Sequence, residues 1–221
     1  ASWGNPLGEM FIESLRYLAG LTPTSDYGAN VDLKGQTMGL TVATWEDPLG
    51  SGPLGTGAAG VARRVDQVAK FGAGQCRPVS AVNFNASVIS YDRDTTSPFG
   101  ELLGSPALKT FVDEIGVGEG ISGTSRFIGR NGVAADNNSA CTAKVIGDLS
   151  EADGLCPAAP AYRGSFSLAG AAYWANKNPI RAVPTTGLDL VQSQRAFRVR
   201  TYGVALSPGS PRSCRGRSCG F

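Results

Sequence analysis

Apolar residues recur at helical spacing in four stretches of the chain and at alternate positions in two others. Leu7, Met10, Phe11, Leu15 and Leu18 form one stripe, the i, i+3, i+4 pattern of an amphipathic helix. Asn5-Pro6 before it reads as a cap with proline at the first helical position, and Gly20 with Pro23 closes it, so a helix is predicted over Pro6–Ala19. Val61, Val65 and Val68 predict a second helix over Ala58–Phe71. Leu108, Phe111, Val112 and Ile115 predict a third, opened by Ser105-Pro106 and ended by Gly116. Gly164–Asn176 predicts a fourth, packing through Phe166, Gly170, Tyr173 and Trp174. Its glycines weaken it unless a neighbour packs closely against them.

The stretch from Val79 to Pro98 switches to a period of two. Val82, Phe84, Ala86 and Val88 alternate with Asn83, Asn85 and Ser87, which predicts a strand with the apolar set buried on one face. Ser90, Asp92, Asp94, Thr95, Thr96 and Ser97 follow as an oxygen-rich turn. A solvated turn is the plain reading of such a cluster. Arg195–Leu206 predicts the last strand, with Arg198 and Arg200 on its polar side and a buried-looking run Tyr202–Leu206. Residues 21–57 and 117–163 read as long loops, with short strands such as Ser125–Ile128 inside the second. Helices alternating with strands, without short hairpin signals, predict a parallel α/β core. In open α/β sheets ligands sit beyond the carboxyl ends of the strands, which draws attention to the turn after Val88.

Composition narrows the chemistry. The 221 residues are 42% hydrophobic, without an apolar run of bilayer length, so a globular α/β domain is expected. The opening on ASWGNPLGE reads as the interior of a longer protein, and the chain is expected to be a segment of one. There is no histidine, which excludes Ser-His-Asp and Cys-His catalysis and any Cys/His zinc site. No phosphate-binding G-x-x-x-x-G-K-[ST] occurs, and the glycine-rich GVGEGISG (Gly116–Gly123) opens no convincing helix. The paired carboxylates Glu46-Asp47 and Asp113-Glu114 serve hydrolysis only if space brings opposed acids together; Asp113-Glu114 reads as a solvated helix face. Asp92 and Asp94, with Thr95 and Ser97, are the better candidates, as oxygen ligands for Ca2+ or Mg2+. They do not follow the twelve-residue calcium-loop pattern.

Charge is uneven: ten Lys/Arg against thirteen Asp/Glu up to residue 130, and ten against five after it. Six arginines and no acid follow from Arg195. The alternation of Arg198 and Arg200 with apolar residues favours a strand face over a nucleic-acid patch, and no nucleic acid is expected as a partner. The five cysteines are Cys76, Cys141, Cys156, Cys214 and Cys219. Two local disulfides, Cys141–Cys156 and Cys214–Cys219, are the natural reading and imply an exported protein. Cys76 is then left for Cys214, Cys219 or a cysteine beyond this segment, since spacing does not fix connectivity.

Six stretches in order, GNPLGEMFIESLRYLAG, ATWEDP, CRPVSAVNFNASVISYDRD, GISGTSRFIGRNG, CTAKVIGDLSEADGLCPAAPAYRGSFSLAGAAYWA and RTYGVALSPGSPR, resemble the middle region of PilY-type (PilC-type) proteins. The resemblance covers nearly all of residues 3–212. It implies a von Willebrand factor A-like α/β domain over residues 1–206, with long loop insertions and as a partial domain in this segment, then an Arg/Cys-rich tail or linker over 207–221. It implies an exported pilus-biogenesis factor and tip adhesin that works by binding, not turnover. The partners it implies are the pilus tip complex with its minor pilins, a host or surface ligand, and a propeller domain elsewhere in the parent chain. Von Willebrand A domains can carry a metal-dependent adhesion site; here Asn5 stands where its threonine would be, and Asn83 and Asn85 near its aspartate. The DxSxS strand of that site is not in this chain. Two other classes compete: an exported hydrolase using Asp92 and Asp94, and a structural subunit of an extracellular filament associating through a strand edge.

Overall fold

The first apolar stripe forms a helix as expected, although Met10 of that stripe is 57% exposed. Helix α1 spans Leu7–Leu18 and buries Leu7, Phe11, Ile12 and Leu15. The computed structural model describes residues 4–22, 47–49, 78–92, 107–157, 160–181, 183 and 189–206. The predicted helix over 58–71, the signal at Ser105-Pro106 and most of the first long loop lie outside them. Strand β1 runs Val79–Asn85, α2 Leu108–Gly118, β2 Ser125–Arg130, β3 Thr142–Val145, β4 Asp153–Leu155, α3 Ser167–Lys177, α4 Leu190–Arg195 and β5 Val199–Ala205.

Among the described residues the strands form two sheets. β1 and β5 pair in parallel, Val79 opposite Val199 through Asn85 opposite Ala205. This is the parallel α/β element that the alternation of helices and strands leads one to expect. The second sheet was not anticipated: β3-β2-β4 is antiparallel throughout. Its strands are three to six residues long, and Asn131-Gly132 stands at the head of a long connection from β2 to β3 rather than as a two-residue loop between them, so the short hairpin signal is missing.

The core lies where α1, α2 and α3 meet the start of the parallel pair, with Phe11, Leu15, Val112, Ala171, Trp174, Val79 and Val199 buried together. The close approach expected at the glycines of α3 is present. A Cβ on Gly170 would stand 2.4 Å from Val112 Cγ2, so the glycine lets α3 lie directly on α2. α2 itself runs two residues past Gly116, to Gly118. At the far end of α1, Gly20 adopts φ +80° and makes room for Arg181, which donates to Leu18 O and grips both carboxylate oxygens of Asp47 at 2.8 and 2.5 Å.

Two expectations about faces are corrected. Val82 and Phe84 are 65% and 62% exposed, whereas Val79 and Asn85 of the same strand are buried. The helices cover the opposite side of the pleat from the one the apolar alternation favoured. Tyr202–Leu206 is likewise exposed along its length, since it continues that uncovered end of the sheet. The last strand also starts later than expected, because Leu190–Arg195 forms α4, whose capping box joins Asp189 and Gln192.

Candidate functional site beyond the carboxyl end of β1

A parallel pair puts the carboxyl ends of both strands at one edge, and the backbone leaving β1 there turns over the start of α1. Asn5 is the hub of this crest. It does not cap α1 with its side chain, contrary to the sequence reading; Leu7 N bonds to its backbone carbonyl. The Asn5 side-chain amide instead reaches eighty positions along the chain and donates to Asn85 Oδ1 at 2.9 Å and Ser87 Oγ at 3.0 Å. Ser87 N also donates to Asn85 Oδ1, at 3.2 Å, which fixes the orientation of that amide. The backbones are tied reciprocally: Asn5 N donates to Ser90 Oγ at 2.7 Å and Ser90 N donates to Asn5 O at 3.0 Å. β5 joins through Leu206 N, which donates to Asn85 O. Asn83 is not drawn into this cluster.

Asp92 follows on the same turn, and it is not solvated. Its side chain is 0% exposed. Oδ1 accepts from Ser165 N at 2.7 Å, just ahead of α3, where Ser165 Oγ and Ser167 Oγ lie 2.7 Å apart. Oδ2 has no hydrogen-bond partner and faces Gly8, where a Cβ would stand 3.1 Å away and only 2.7 Å from Asp92 O. Burial pushes the Asp92 carboxyl up to about 6; the Ser165 hydrogen bonds oppose this, and the nearby Glu9 carboxylate adds to it. Glu9 is itself buried on α1. Asp92 thus joins the turn after β1 to the starts of α1 and α3.

The group implied by the adhesion-type resemblance is a divalent cation, which wants several hard, mostly anionic oxygens. Asn5, Asn85, Ser87 and Ser90 present a neutral set whose amides and hydroxyls bond to one another, and such a set does not fit that ion. Among the described residues no three His, Cys, Asp or Glu side chains gather to hold a metal. Asp94, with Thr95 and Ser97, lies outside the described residues, as do Cys76, Cys214 and Cys219. The two carboxylate pairs flagged for hydrolysis have structural partners: Asp47 is gripped by Arg181, and Asp113 Oδ1 accepts from Ser150 N at 2.8 Å.

Cys141 and Cys156 form a disulfide, tying the segment before β3 to the end of β4 across β2. Lys144, on β3 next to it in the chain, is buried and donates to Ile128 O, Ala140 O and Thr142 Oγ1. Sequence reasoning did not single out Lys144, Asn131 or Arg181; nothing in their neighbours along the chain marks them.

Comparison with known proteins points one way. Residues 1–175 match the family model described as PilY1 homolog, second domain. The chain is 31% identical over 223 residues to a protein of Xylella fastidiosa (strain Temecula1) named "Type IV pilus biogenesis factor PilY1 homolog", an alignment covering 95% of this chain. That alignment spans 13% of the relative's length. No solved structure matches. No helix among the described residues is long and apolar enough to cross a membrane. On the extent of the family match and the identity to this relative, the chain belongs to the family of PilY1-homolog second domains.

Proposed function

We propose that this chain is a binding module of a type IV pilus biogenesis factor, displayed at the pilus tip or outer surface and acting by contact without turnover. The observation that carries the proposal is the family match over residues 1–175, together with the printed name of the relative. A von Willebrand factor A-like arrangement belongs to the same proposal; the parallel β1–β5 pair with helices against it supports it. In this reading the crest around Asn5, Asn85 and Ser87, at the carboxyl edge of the parallel strands, is the contact surface. Its partners are the pilus tip complex with its minor pilins and a ligand on the host or other surface, with the propeller of the parent chain beside it. Binding fits the chemistry better than hydrolysis, because Asp92 is sealed from solvent and donates no open carboxylate to a substrate.

The test uses the full parent protein in a piliated strain. Deleting the codons for this domain, or replacing Asn5 and Ser87 with arginine, is expected to reduce surface pili, twitching or adherence. Unchanged piliation, motility and adherence in the deletion strain, with the shortened parent protein still exported, overturn it. A hydrolase is tested by a substrate panel on purified protein: turnover lost in Asp92→Asn would replace the binding reading.

A further inference from the structure

Two exposed tyrosines stand beside the crest. Tyr91 follows Ser90, and its ring passes 3.9 Å from where a Cβ on Gly4 would stand, next to Asn5. Tyr162 comes from the segment ahead of α3, and Tyr91 N donates to its carbonyl at 2.8 Å. The ring centroids lie 6.3 Å apart at 45°, and the two residues are 36% and 54% exposed. A tilted pair leaves each ring a face that the other does not cover. Tyr91 reaches this position at φ +49°, where a bulky residue is rarely held. Backbone of this kind persists only where its surroundings fix it, and it gathers at binding sites. The fixing bonds here lie on either side of Tyr91, those of Ser90 with Asn5 and of Asp92 with Ser165.

We infer that this tyrosine pair and the amide–hydroxyl crest beside it form a site for a neutral saccharide; the inference gives the contact surface proposed above its ligand class and rests on that reading. A sugar ring has an apolar C–H face and a rim of hydroxyls. The C–H face is drawn to the negative face of an aromatic ring, and Tyr91 and Tyr162 present such faces at the surface. Each hydroxyl both donates and accepts, so the rim asks for a donor and an acceptor side by side. The crest supplies both. Asn5 spends its Nδ2 protons on Asn85, Ser87 and Val88, and among the described residues no group donates to its Oδ1. Ser87 is exposed, accepts from Asn5 through Oγ and keeps its hydroxyl proton to donate. These groups are already held by bonds to one another, so little order has to be gained on binding. Charge points the same way. Asp92 is sealed beneath the turn, and Arg163, next to Tyr162, turns to Asp153. Ring faces, an amide oxygen and a hydroxyl suit an uncharged polar ligand and lose nothing to the desolvation of ions.

The experiment applies the purified full parent protein to an array of neutral oligosaccharides ending in glucose, galactose, mannose or fucose, with sialylated and sulfated glycans as anionic controls. Retention of a neutral glycan is expected, checked by calorimetric titration with the methyl glycoside of its terminal sugar. Tyr91→Ala and Tyr162→Ala are each expected to weaken binding about three- to tenfold, the loss of one stacked ring, at unchanged Tm. Tyr162→Phe, which keeps the ring, is expected to bind like the parent. A measurement without substitution accompanies these: the bound glycoside is expected to protect Tyr91 and Tyr162 from nitration, mapped by peptide mass. No neutral glycan bound at millimolar concentration overturns the inference. So does binding that leaves both tyrosines unprotected and is unaffected by either alanine variant, since the sugar then sits elsewhere. Failure here is distinct from failure of the contact reading. If no sugar binds, yet arginine at Asn5 and Ser87 still reduces adherence of the piliated strain, the crest remains a contact surface and its occupant is a protein.

Discussion

Asp92→Asn tests the buried junction between β1, α1 and α3. The folded chain holds the Asp92 carboxyl at about 6 against the ordinary 3.8, a difference of about 2 units. At about 1.4 kcal/mol per unit this is about 3 kcal/mol, a large part of a typical domain's stability. The sign follows from which state holds the proton more tightly. With the folded value raised, the folded state binds the extra proton between pH 4 and 6, so stability is greatest below about 4 and is lost as pH rises through 6. Asparagine cannot ionise and keeps an oxygen for Ser165 N, although its amide then occupies the spot where Oδ2 finds no partner. The informative quantity is therefore the difference between variant and parent, measured by urea unfolding at pH 4, 5, 6 and 7. Other titrating groups cancel in it, and Glu9→Gln in both backgrounds removes the one acid that bears on Asp92. The difference is expected to move by about 3 kcal/mol in favour of Asp92→Asn from pH 4 to 7. A difference independent of pH refutes the reasoning. So does a parent stability that rises with pH and with millimolar calcium, the result expected if Asp92 shares a cation with Asp94 instead of keeping a proton.

Three further outcomes follow from the geometry. Replacing Cys141 and Cys156 with serine opens a loop of sequence separation 15 and is expected to cost about 3 kcal/mol in urea unfolding; free thiols at both positions in exported protein would remove the basis for this. Arg181→Met leaves the Asp47 carboxylate buried without its partner, at an expected cost of about 3–5 kcal/mol, and adding Asp47→Leu is expected to recover most of it. Gly170→Ala drives a methyl into Val112 and is expected to lower stability by about 1–3 kcal/mol, with Val112→Ala in the same chain giving back part of the loss.

The local signals were legible and the sidedness was not. The stripe of α1 and the glycine contact of α3 could be read from residues three and four apart, because a helix brings those together by itself. The strand at Val79 was legible for the same reason, from its period of two. Its buried face was not, since alternation says that two faces differ without saying which one the helices cover; Val82 and Phe84 look like core until α1 and α3 are seen to pack behind Val79 and Asn85. The antiparallel sheet escaped because strands of three to six residues carry too little pattern to stand out from loop. Asp92 was singled out for its oxygen-rich neighbours, yet its burial depends on Ser165, seventy-three positions away.

That distance is typical of what holds the crest. Asn5 meets Asn85 across eighty positions, Asp92 meets Ser165 across seventy-three, and Arg181 meets Asp47 and Leu18 across 134 and 163. They tie the end of β1, the turn after it and the loops around Asp47 and Arg181 to one another and to the ends of α1 and α3, and none is implied by its neighbours in sequence. Helix ends carry unsatisfied backbone groups and partial charge, so polar side chains from distant loops have somewhere to bond there, while helix middles are taken by the core. The consequence is a division of labour along α1. Its middle is held by Phe11, Ile12 and Leu15 through area, tolerant of which aliphatic neighbour supplies it. Its two ends are held by small sets of directed bonds, those of Asn5 to Asn85, Ser87 and Ser90 and those of Arg181 to Leu18 O and Asp47. The crest at the carboxyl edge of β1 has that second kind of support: its shape rests on amide and hydroxyl bonds among Asn5, Asn85, Ser87 and Ser90, so in the proposed binding role substitutions there are expected to alter binding before they alter folding.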